Sequence, residues 1–191
     1  KPDLILFEIN TFGGLLESAF SISDTMLALK GVNTVALVDK KAISAGAIIA
    51  LSAQKLYMRP STTIGDCAPV TPGEEGPVML GEKIQSPLRA RFRTLAEKHG
   101  YPSLLSQAMV TAELEVLELS NDTESRFVLA SEWEEMSEKE RAHWKNKKTL
   151  VKSGELLTLT NQEAEKYGFS EGTVEGTEAL METLGVSSWK K

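Results

Sequence analysis

A serine at the start of a small-residue segment is the side chain of this sequence best placed to act as a nucleophile. Ser44 follows an apolar stretch at residues 34–38 and precedes Ala45, Gly46 and further small residues. If a helix begins there, its unpaired N–H groups and its dipole favour negative charge, which would help an alkoxide and a tetrahedral oxyanion alike. A small residue after the serine also leaves its own amide free to donate. From this segment alone, a helix N-cap or a tight packing residue is the commoner role of such a serine.

Two glycines earlier in the chain offer a place for an anion. Gly13 and Gly14 end an apolar stretch at residues 4–9. In a parallel sheet they would lie at the same carboxyl edge as Ser44, where α/β proteins bind their ligands. A tight strand-to-helix turn explains the same two glycines equally well. The residues therefore pair a candidate nucleophile with a candidate anion site and leave the simpler alternative open.

A serine nucleophile needs a base, and Lys83 is the best candidate in this sequence. The two histidines, His99 and His143, lie in contexts that do not suggest a base. A lysine accepts a proton only when it is neutral, which requires burial or neighbouring positive charge to lower its pKa from about 10.4. Lys83 has apolar and glycine neighbours and lies between a predicted loop and a predicted helix. Most lysines are solvated surface residues, and this is the simpler alternative for Lys83. Lys41, at a strand end, is expected to face solvent.

The composition describes an ordinary globular protein and excludes several classes. The chain has 191 residues, a formal net charge of -6 and 25% charged residues, which fits a single domain over residues 1–191 and argues against a nucleic-acid partner. The single cysteine, Cys67, rules out an internal disulfide and a cysteine-rich metal site, and we expect it to be a buried small apolar residue. No run approaches the roughly 18 apolar residues of a membrane span. We expect neither a metal ion nor a cofactor.

Alternating strand and helix patterns predict an α/β fold. Apolar strands are predicted at residues 4–9, 34–38 and 55–58, and helices at residues 15–30 and 44–54. This order implies βαβ units and a mainly parallel sheet flanked by helices. Residues 59–81 are rich in proline, glycine and threonine, and are predicted to form a long loop, which at this length is usually functional or disordered.

The second half of the chain is predicted to mix short helices and strands. Ser86 and Pro87 are typical of an N-cap and first residue, and predict a basic helix that begins there and runs to Lys98. Residues 131–148 are very polar, open with a Ser131-x-x-Glu134 capping box, and are predicted to be a surface helix inserted in the domain. The remaining predictions are a helix at residues 103–110, strands at 114–119, 126–130, 156–160 and 173–174, a short helix ending at Gly168, and a last helix ending near Gly185.

Five segments together resemble the NfeD family, which are membrane-bound serine proteases of the ClpP class related to signal peptide peptidase A. They are Asn-Thr-Phe-Gly-Gly at residues 10–14, Ala-Ile-Ser-Ala-Gly at 42–46, Thr-Ile-Gly-Asp-Cys-Ala-Pro at 63–69, Glu-Lys-Ile at 82–84 and Leu-Thr-Leu-Thr-x-x-Glu-Ala-x-x-x-Gly at 157–168. They cover nearly the whole chain in the family's order. The combination is much more specific than any one of its motifs.

The resemblance implies a ClpP/crotonase-like fold and a Ser-Lys dyad. Ser44 matches the family nucleophile and Lys83 its general base, while Gly14 and Ala45 match the positions whose amides form the oxyanion hole. It implies an endopeptidase domain that hydrolyses peptide bonds in apolar segments, belongs to a protein of the cell membrane, lies on the extracytoplasmic side and forms homo-oligomers. Family members often occur beside a stomatin-like protein, which is therefore a candidate partner besides the peptide or membrane-protein substrate.

The sequence departs from the family pattern at three places. Phe12 stands where the family usually has proline, so the backbone of the oxyanion turn is less constrained here. Pro87 is predicted to delay the helix and to leave Lys83 in a less rigid place than a helical lysine. The family normally opens with another strand and helix before residues 4–9, so we expect this chain to be missing them and the sheet to have an unfilled edge.

Two other functions compete with the protease. A catalytically silent ClpP-like scaffold would use the same fold to bind a membrane partner, and Phe12 and the long loop favour it. A crotonase-type acyl-CoA hydratase or isomerase shares the fold and the oxyanion hole but typically needs acidic catalytic residues. Because Ser44 rather than a glutamate follows the oxyanion-side positions, we rank that reading last.

Overall fold

Residues 2–73 and 76–190 are described by the structure, which is a computed structural model. The chain groups into two compact units, and each is described by itself. The first unit contains the chain up to residue 67 together with residues 98–101 and residues from 158 onward, and the second contains residues 68–97 and 102–157. The single domain over residues 1–191 stays a prediction.

A mostly parallel sheet forms the centre of the first unit. β1 (Leu4–Thr11) pairs with β2 (Asn33–Ile43), and β2 pairs in parallel with both β3 (Lys55–Met58) and β4 (Thr63–Gly65). β10 (Thr158–Thr160) runs antiparallel to β4. Residues 35–38 of β2 are at most 2% exposed, because a central parallel strand is covered on both faces. The strand continues to Ile43, beyond the predicted end at residue 38, and so leads directly to Ser44.

Two helices of the first unit pack behind this strand. α2 (Ala45–Ser52) lies against β2 and is buried along most of its length, because its small side chains allow close approach. α1 (Leu16–Ala28) packs on α2 through Ala19, Ser23 and Met26, which recur at helical spacing. The hydroxyls of Ser23 and Ser52 are 2.7 Å apart and buried, so this interface contains a hydrogen bond. The unit also contains α7 (Asn161–Lys166) and α8 (Thr177–Thr183).

The second unit contains antiparallel strands and short helices. Its strands are β5 (Val70–Gly73), β6 (Gly76–Met79), β7 (Val116–Ser120), β8 (Ser125–Leu129) and β9 (Asn146–Val151), and its helices include α4 (Ser103–Ala108), α5 (Ala130–Glu135) and α6 (Glu138–Arg141). β5 and β6 form a hairpin, and β7 lies between β8 and β9. α3 (Glu82–His99) begins in this unit and ends in the first.

The predicted long loop at residues 59–81 is wrong in part. It contains β4 and the β5–β6 hairpin, while residues 74–75 lie outside the described residues. Prolines and glycines normally weaken a strand prediction, and both strands of the hairpin contain one of each. β4 is short and pairs with β2 and β10, so its strand character comes from neighbours that are distant in sequence.

The predicted start of α3 is also wrong. The helix begins at Glu82, so Lys83 is helical and Pro87 lies inside the helix rather than at its first residue. Gly81 supplies the first acceptor, because its carbonyl accepts the Ile84 N–H at 3.0 Å. A proline within the first two turns of a helix removes one main-chain donor, and the rest of α3 still forms around its buried face.

Residues 131–148 do not form one surface helix. They contain most of α5, all of α6 and the start of β9. The capping box lies at Ser137 and Glu140 instead of Ser131 and Glu134, and a second capping box lies at Thr160 and Glu163, at the start of α7. Three large side chains explain the difference, because they pack against the buried cluster of the β7–β9 sheet and break the run into short pieces: Trp133, Met136 and Trp144.

Candidate active site

Ser44 joins β2 to α2 in a strained backbone conformation. Its φ of 56° and ψ of -121° are values that glycine normally takes. The neighbouring backbone holds it there: the Ser44 N–H donates to the Gly65 carbonyl at 3.0 Å, and the Ser44 carbonyl accepts from the Ala47 N–H at 2.9 Å. Such strain, on the order of 1–3 kcal/mol per residue, is most often found at functional sites.

The Ser44 hydroxyl does not cap the helix that it precedes. Ser44 stands at the N-cap position of α2, yet its side chain makes no capping hydrogen bond. Within residues 2–73 and 76–190 we find no hydrogen-bond partner for its Oγ. Capping by the Ser44 side chain is therefore excluded, while the tight packing of Ser44 stays open as an alternative to a reactive role.

The Gly13–Gly14 turn lies directly against Ser44. A Cβ at Gly13 would lie 2.8 Å from the Ser44 Cβ and 3.2 Å from its Oγ, and the Gly13 φ of 130° also excludes other residues. Gly46 makes a second close contact, because a Cβ there would lie 2.5 Å from the Thr11 Cγ2. The two glycine-containing segments singled out in the sequence are thus brought together, as the parallel sheet predicted.

Thr11 determines which amides of the turn are free. Its hydroxyl donates to the Gly13 carbonyl at 2.9 Å and accepts from the Gly13 N–H at 3.0 Å, so that N–H is occupied. In the part of the chain that the structure describes, the N–H groups of Gly14 and Ala45 have no acceptor. An oxyanion hole requires two such unpaired donors, and the oxyanion hole formed by Gly14 and Ala45 stays a prediction.

The buried thiol of Cys67 contacts the backbone carbonyl of Ser44. The Cys67 Sγ lies 3.6 Å from the Ser44 carbonyl oxygen, to which the thiol donates. Burial raises the pKa of this thiol, and the nearby charge of Asp66 raises it further. The thiol therefore stays protonated as a donor and does not act as a nucleophile. Cys67 is 2% exposed, so the prediction of a buried cysteine is confirmed.

Lys83 belongs to the second unit, whereas Ser44, Gly14 and Ala45 belong to the first. It is the second residue of α3, and its side chain is exposed. The neighbouring Gln85 is buried and donates to the Leu80 carbonyl at 2.7 Å, which anchors the first turn of the helix. The Ser44–Lys83 dyad stays a prediction.

Three residues around Ser44 have supporting contacts that the sequence analysis did not assign. They are Thr11, Gly65 and Cys67. All three lie inside the motifs at residues 10–14 and 63–69, so the motifs indicated that these residues lie near the site. Which atom of each residue makes the contact depends on the pairing of β1, β2 and β4, which no local pattern contains.

Comparison with known proteins assigns the family. The sequence profile of the NfeD1b N-terminal domain matches residues 1–138. This chain belongs to the NfeD1b family. The membrane protein NfeD1b of Bacillus subtilis (strain 168) is 30% identical over 183 residues, which is 96% of this chain and 34% of that protein. The chain thus spans about a third of the length of that curated NfeD1b protein.

Solved structures agree with this assignment at the level of the fold. A mutant of the 1510-N membrane-bound stomatin-specific protease superposes on 94% of this NfeD1b chain and 68% of its own with a TM-score of 0.66 and 20% identity. The 1510-N membrane protease specific for a stomatin homolog, from Pyrococcus horikoshii, gives 0.57 at 19% identity over 95% and 62% of the two chains. ClpP1 from Listeria monocytogenes gives 0.52 at 20% identity over 94% and 78%. The predicted ClpP-like α/β fold is confirmed.

Neither a membrane-spanning helix nor a metal-binding cluster occurs among the described residues. Among residues 2–73 and 76–190, no helix is both long and apolar enough to span a bilayer. Within the same ranges, no three side chains of the metal-binding types form a cluster that would hold an ion.

Proposed function

We propose that this chain is the serine endopeptidase domain of a membrane-bound protein and that Ser44 is its nucleophile. The observation that carries the proposal is the geometry of Ser44, a strained residue whose hydroxyl is unbonded and lies against a glycine turn. The fold shared with solved membrane-bound proteases supports the same reading.

In the proposed reaction Lys83, in its neutral form, is the general base. Its Nζ takes the proton of the Ser44 hydroxyl while Oγ forms a bond to the carbonyl carbon of the peptide. The electron pair of the C=O bond moves onto oxygen, and the amides of Gly14 and Ala45 donate to the resulting oxyanion. When the intermediate collapses, the C–N bond breaks and the leaving amine takes the proton from Lys83. A water molecule then releases the acyl group from Ser44 by the same steps.

We propose peptide segments with apolar side chains as the substrate. Phe12 and Leu15 flank the Gly13–Gly14 turn and are 76% and 77% exposed, which is unusual for large apolar side chains. An apolar segment bound there would cover them. A stomatin-like partner belongs to the same proposal, since one solved neighbour is named as a stomatin-specific protease and another as specific for a stomatin homolog. An extracytoplasmic location and a homo-oligomeric state are proposed from the family resemblance alone.

A catalytically silent scaffold is the second candidate function. The observation in its favour is the exposed side chain of Lys83, because a lysine base has to be desolvated to lose its proton at neutral pH. A scaffold would bind its membrane partner whether or not Ser44 is present.

Fluorophosphonate labelling of the protein between pH 6 and pH 10 tests the proposal. We expect labelling that Ser44→Ala abolishes and Lys83→Ala greatly reduces, while Lys148→Ala, an exposed lysine on β9, leaves it unchanged. Labelling that persists in Ser44→Ala would remove Ser44 as the nucleophile. Labelling that is independent of Lys83 would remove the dyad. A folded protein that is not labelled at any pH would favour the scaffold.

A further inference from the structure

A lysine ammonium lies over the aromatic ring next to the glycine turn. The Nζ of Lys41 is 3.4 Å from the centroid of the Phe12 ring. Phe12 directly precedes Gly13, and Lys41 lies near the end of β2, just before Ser44. In the part of the chain that the structure describes, Lys41 has no carboxylate within ion-pair distance. The ammonium of Lys41 therefore makes a cation–π contact with the negative face of the Phe12 ring.

This contact connects the two strands that lead into the site. Thr11 at the end of β1 pairs with Ala42 of β2, so Phe12 and Lys41 extend from neighbouring points of the same strand pair. From there the chain reaches Gly13 on one side and Ser44 on the other. A cation held over a ring across this pair resists relative movement of the two segments.

The glycine turn has few other restraints. Thr11 holds Gly13 through two hydrogen bonds, but a Cβ placed at Gly14 would meet nothing within 4 Å. The Leu15 side chain is exposed as well, so the far end of the turn is held by the backbone, where the Leu15 carbonyl accepts from the Ala19 N–H of α1 at 3.0 Å. The Phe12 ring precedes the turn and is 76% exposed, so without Lys41 it would be free to change rotamer in solvent.

We propose that Lys41 and Phe12 form a positioning pair, in which the ammonium over the ring holds the Gly13–Gly14 turn against Ser44. The inference rests on the proposed function for its effect on rate: the pair keeps the Gly14 amide aimed at the developing oxyanion. Lys41 touches no reacting atom in this scheme. Its ammonium acts through Phe12, and it is not the base.

Rates of fluorophosphonate labelling test the pair through its coupling. We expect Lys41→Met and Phe12→Leu each to lower the second-order rate constant about three-fold, the size of an exposed cation–π contact. The double variant should be no slower than either single variant, because both remove the same contact. Lys41→Arg keeps a cation over the ring and should label at nearly the wild-type rate. Lys40→Met, at the neighbouring exposed lysine, is the matched control.

Hydrogen exchange at the Gly13 amide, which donates to the Thr11 hydroxyl at 3.0 Å, provides a readout that does not depend on activity. We expect exchange to become about three-fold faster in Lys41→Met and in Phe12→Leu, and to stay unchanged in Lys41→Arg and Lys40→Met. If labelling is absent even in the wild type, the proposed function fails, and the exchange measurement alone decides the pair. Additive effects of the two variants, or a loss of labelling without faster exchange at Gly13, would overturn the inference. Melting temperatures establish that each variant is folded.

Discussion

The backbone of Ser44 separates its chemical role from its structural one. A residue with a φ of 56° and a ψ of -121° carries a steric cost because its Cβ crowds the backbone, and glycine would avoid that cost. Ser44 keeps the cost and leaves its hydroxyl without a capping bond. A strained residue whose side chain makes no stabilising hydrogen bond is typical of a reactive position.

Replacing Ser44 with glycine should therefore stabilise the protein while it abolishes labelling. We expect the free energy of unfolding of Ser44→Gly to exceed that of Ser44→Ala by about 1 kcal/mol, because alanine keeps the strained Cβ and glycine does not. Urea denaturation of both variants and of the wild type measures the difference. A Ser44→Gly protein less stable than Ser44→Ala would contradict the assignment of strain.

At the scale of elements, the first turn of α3 lacks one main-chain hydrogen bond. In a regular helix the Lys83 carbonyl would accept from the N–H of the residue four positions later, but that residue is Pro87, which has none. The first turn is instead supported by Gly81 and by the buried side chain of Gln85. Lys83 thus lies on a helical turn that has a missing main-chain bond.

Replacing Pro87 with alanine should strengthen this turn. We expect Pro87→Ala to raise the free energy of unfolding by about 1 kcal/mol, because it restores a donor to the Lys83 carbonyl and removes the ring from the helix interior. Hydrogen exchange over residues 83–88 should become slower in parallel.

The matched control for Pro87 is Pro102, which precedes α4. Its φ of -61° is the value that proline prefers, so Pro102→Ala should lower the free energy of unfolding by a few tenths of a kcal/mol. Thermal denaturation of both variants shows whether the two substitutions change the stability in opposite directions. Destabilisation by Pro87→Ala would mean that the proline is accommodated without loss.

At the scale of the whole molecule, we expect His99 to make the free energy of unfolding depend on pH. Burial lowers the pKa of His99 from its usual value, and the charge of Lys98 lowers it further, while a hydrogen bond to the Ser52 backbone opposes both. Its Nε2 is buried and has no partner among the described residues. The ring lies beside Tyr101, with centroids 5.8 Å apart, and Tyr101 in turn stacks on Phe169.

The sign of this pH dependence follows from the lowered pKa. As the pH falls below about 6.5, the unfolded chain binds a proton at His99 before the folded protein does, so the free energy of unfolding decreases. We expect His99→Gln to reduce the loss of stability between pH 7.5 and pH 5 compared with the wild type. Equal slopes for His99→Gln and the wild type in urea denaturation would contradict the argument.

The order of the first five elements, β1, α1, β2, α2 and β3, could be predicted from the sequence alone. Continuous apolar strands and amphipathic helices are local patterns, and the sequence also placed Ser44 at a strand-to-helix junction and paired it with the Gly13–Gly14 turn. These features could be predicted because each depends on residues close together in the chain, and because parallel strands bring their carboxyl ends to one edge.

Tertiary structure decided the rest. β4 and the start of α3 were missed because their partners lie in other parts of the chain and because prolines and glycines conceal the local pattern. Likewise, no pattern within residues 42–46 reveals that Gly65 accepts from Ser44, that Cys67 supports its carbonyl or that Lys41 lies over Phe12. These contacts depend on strand register, and register results from packing the whole sheet rather than from the preference of any one segment.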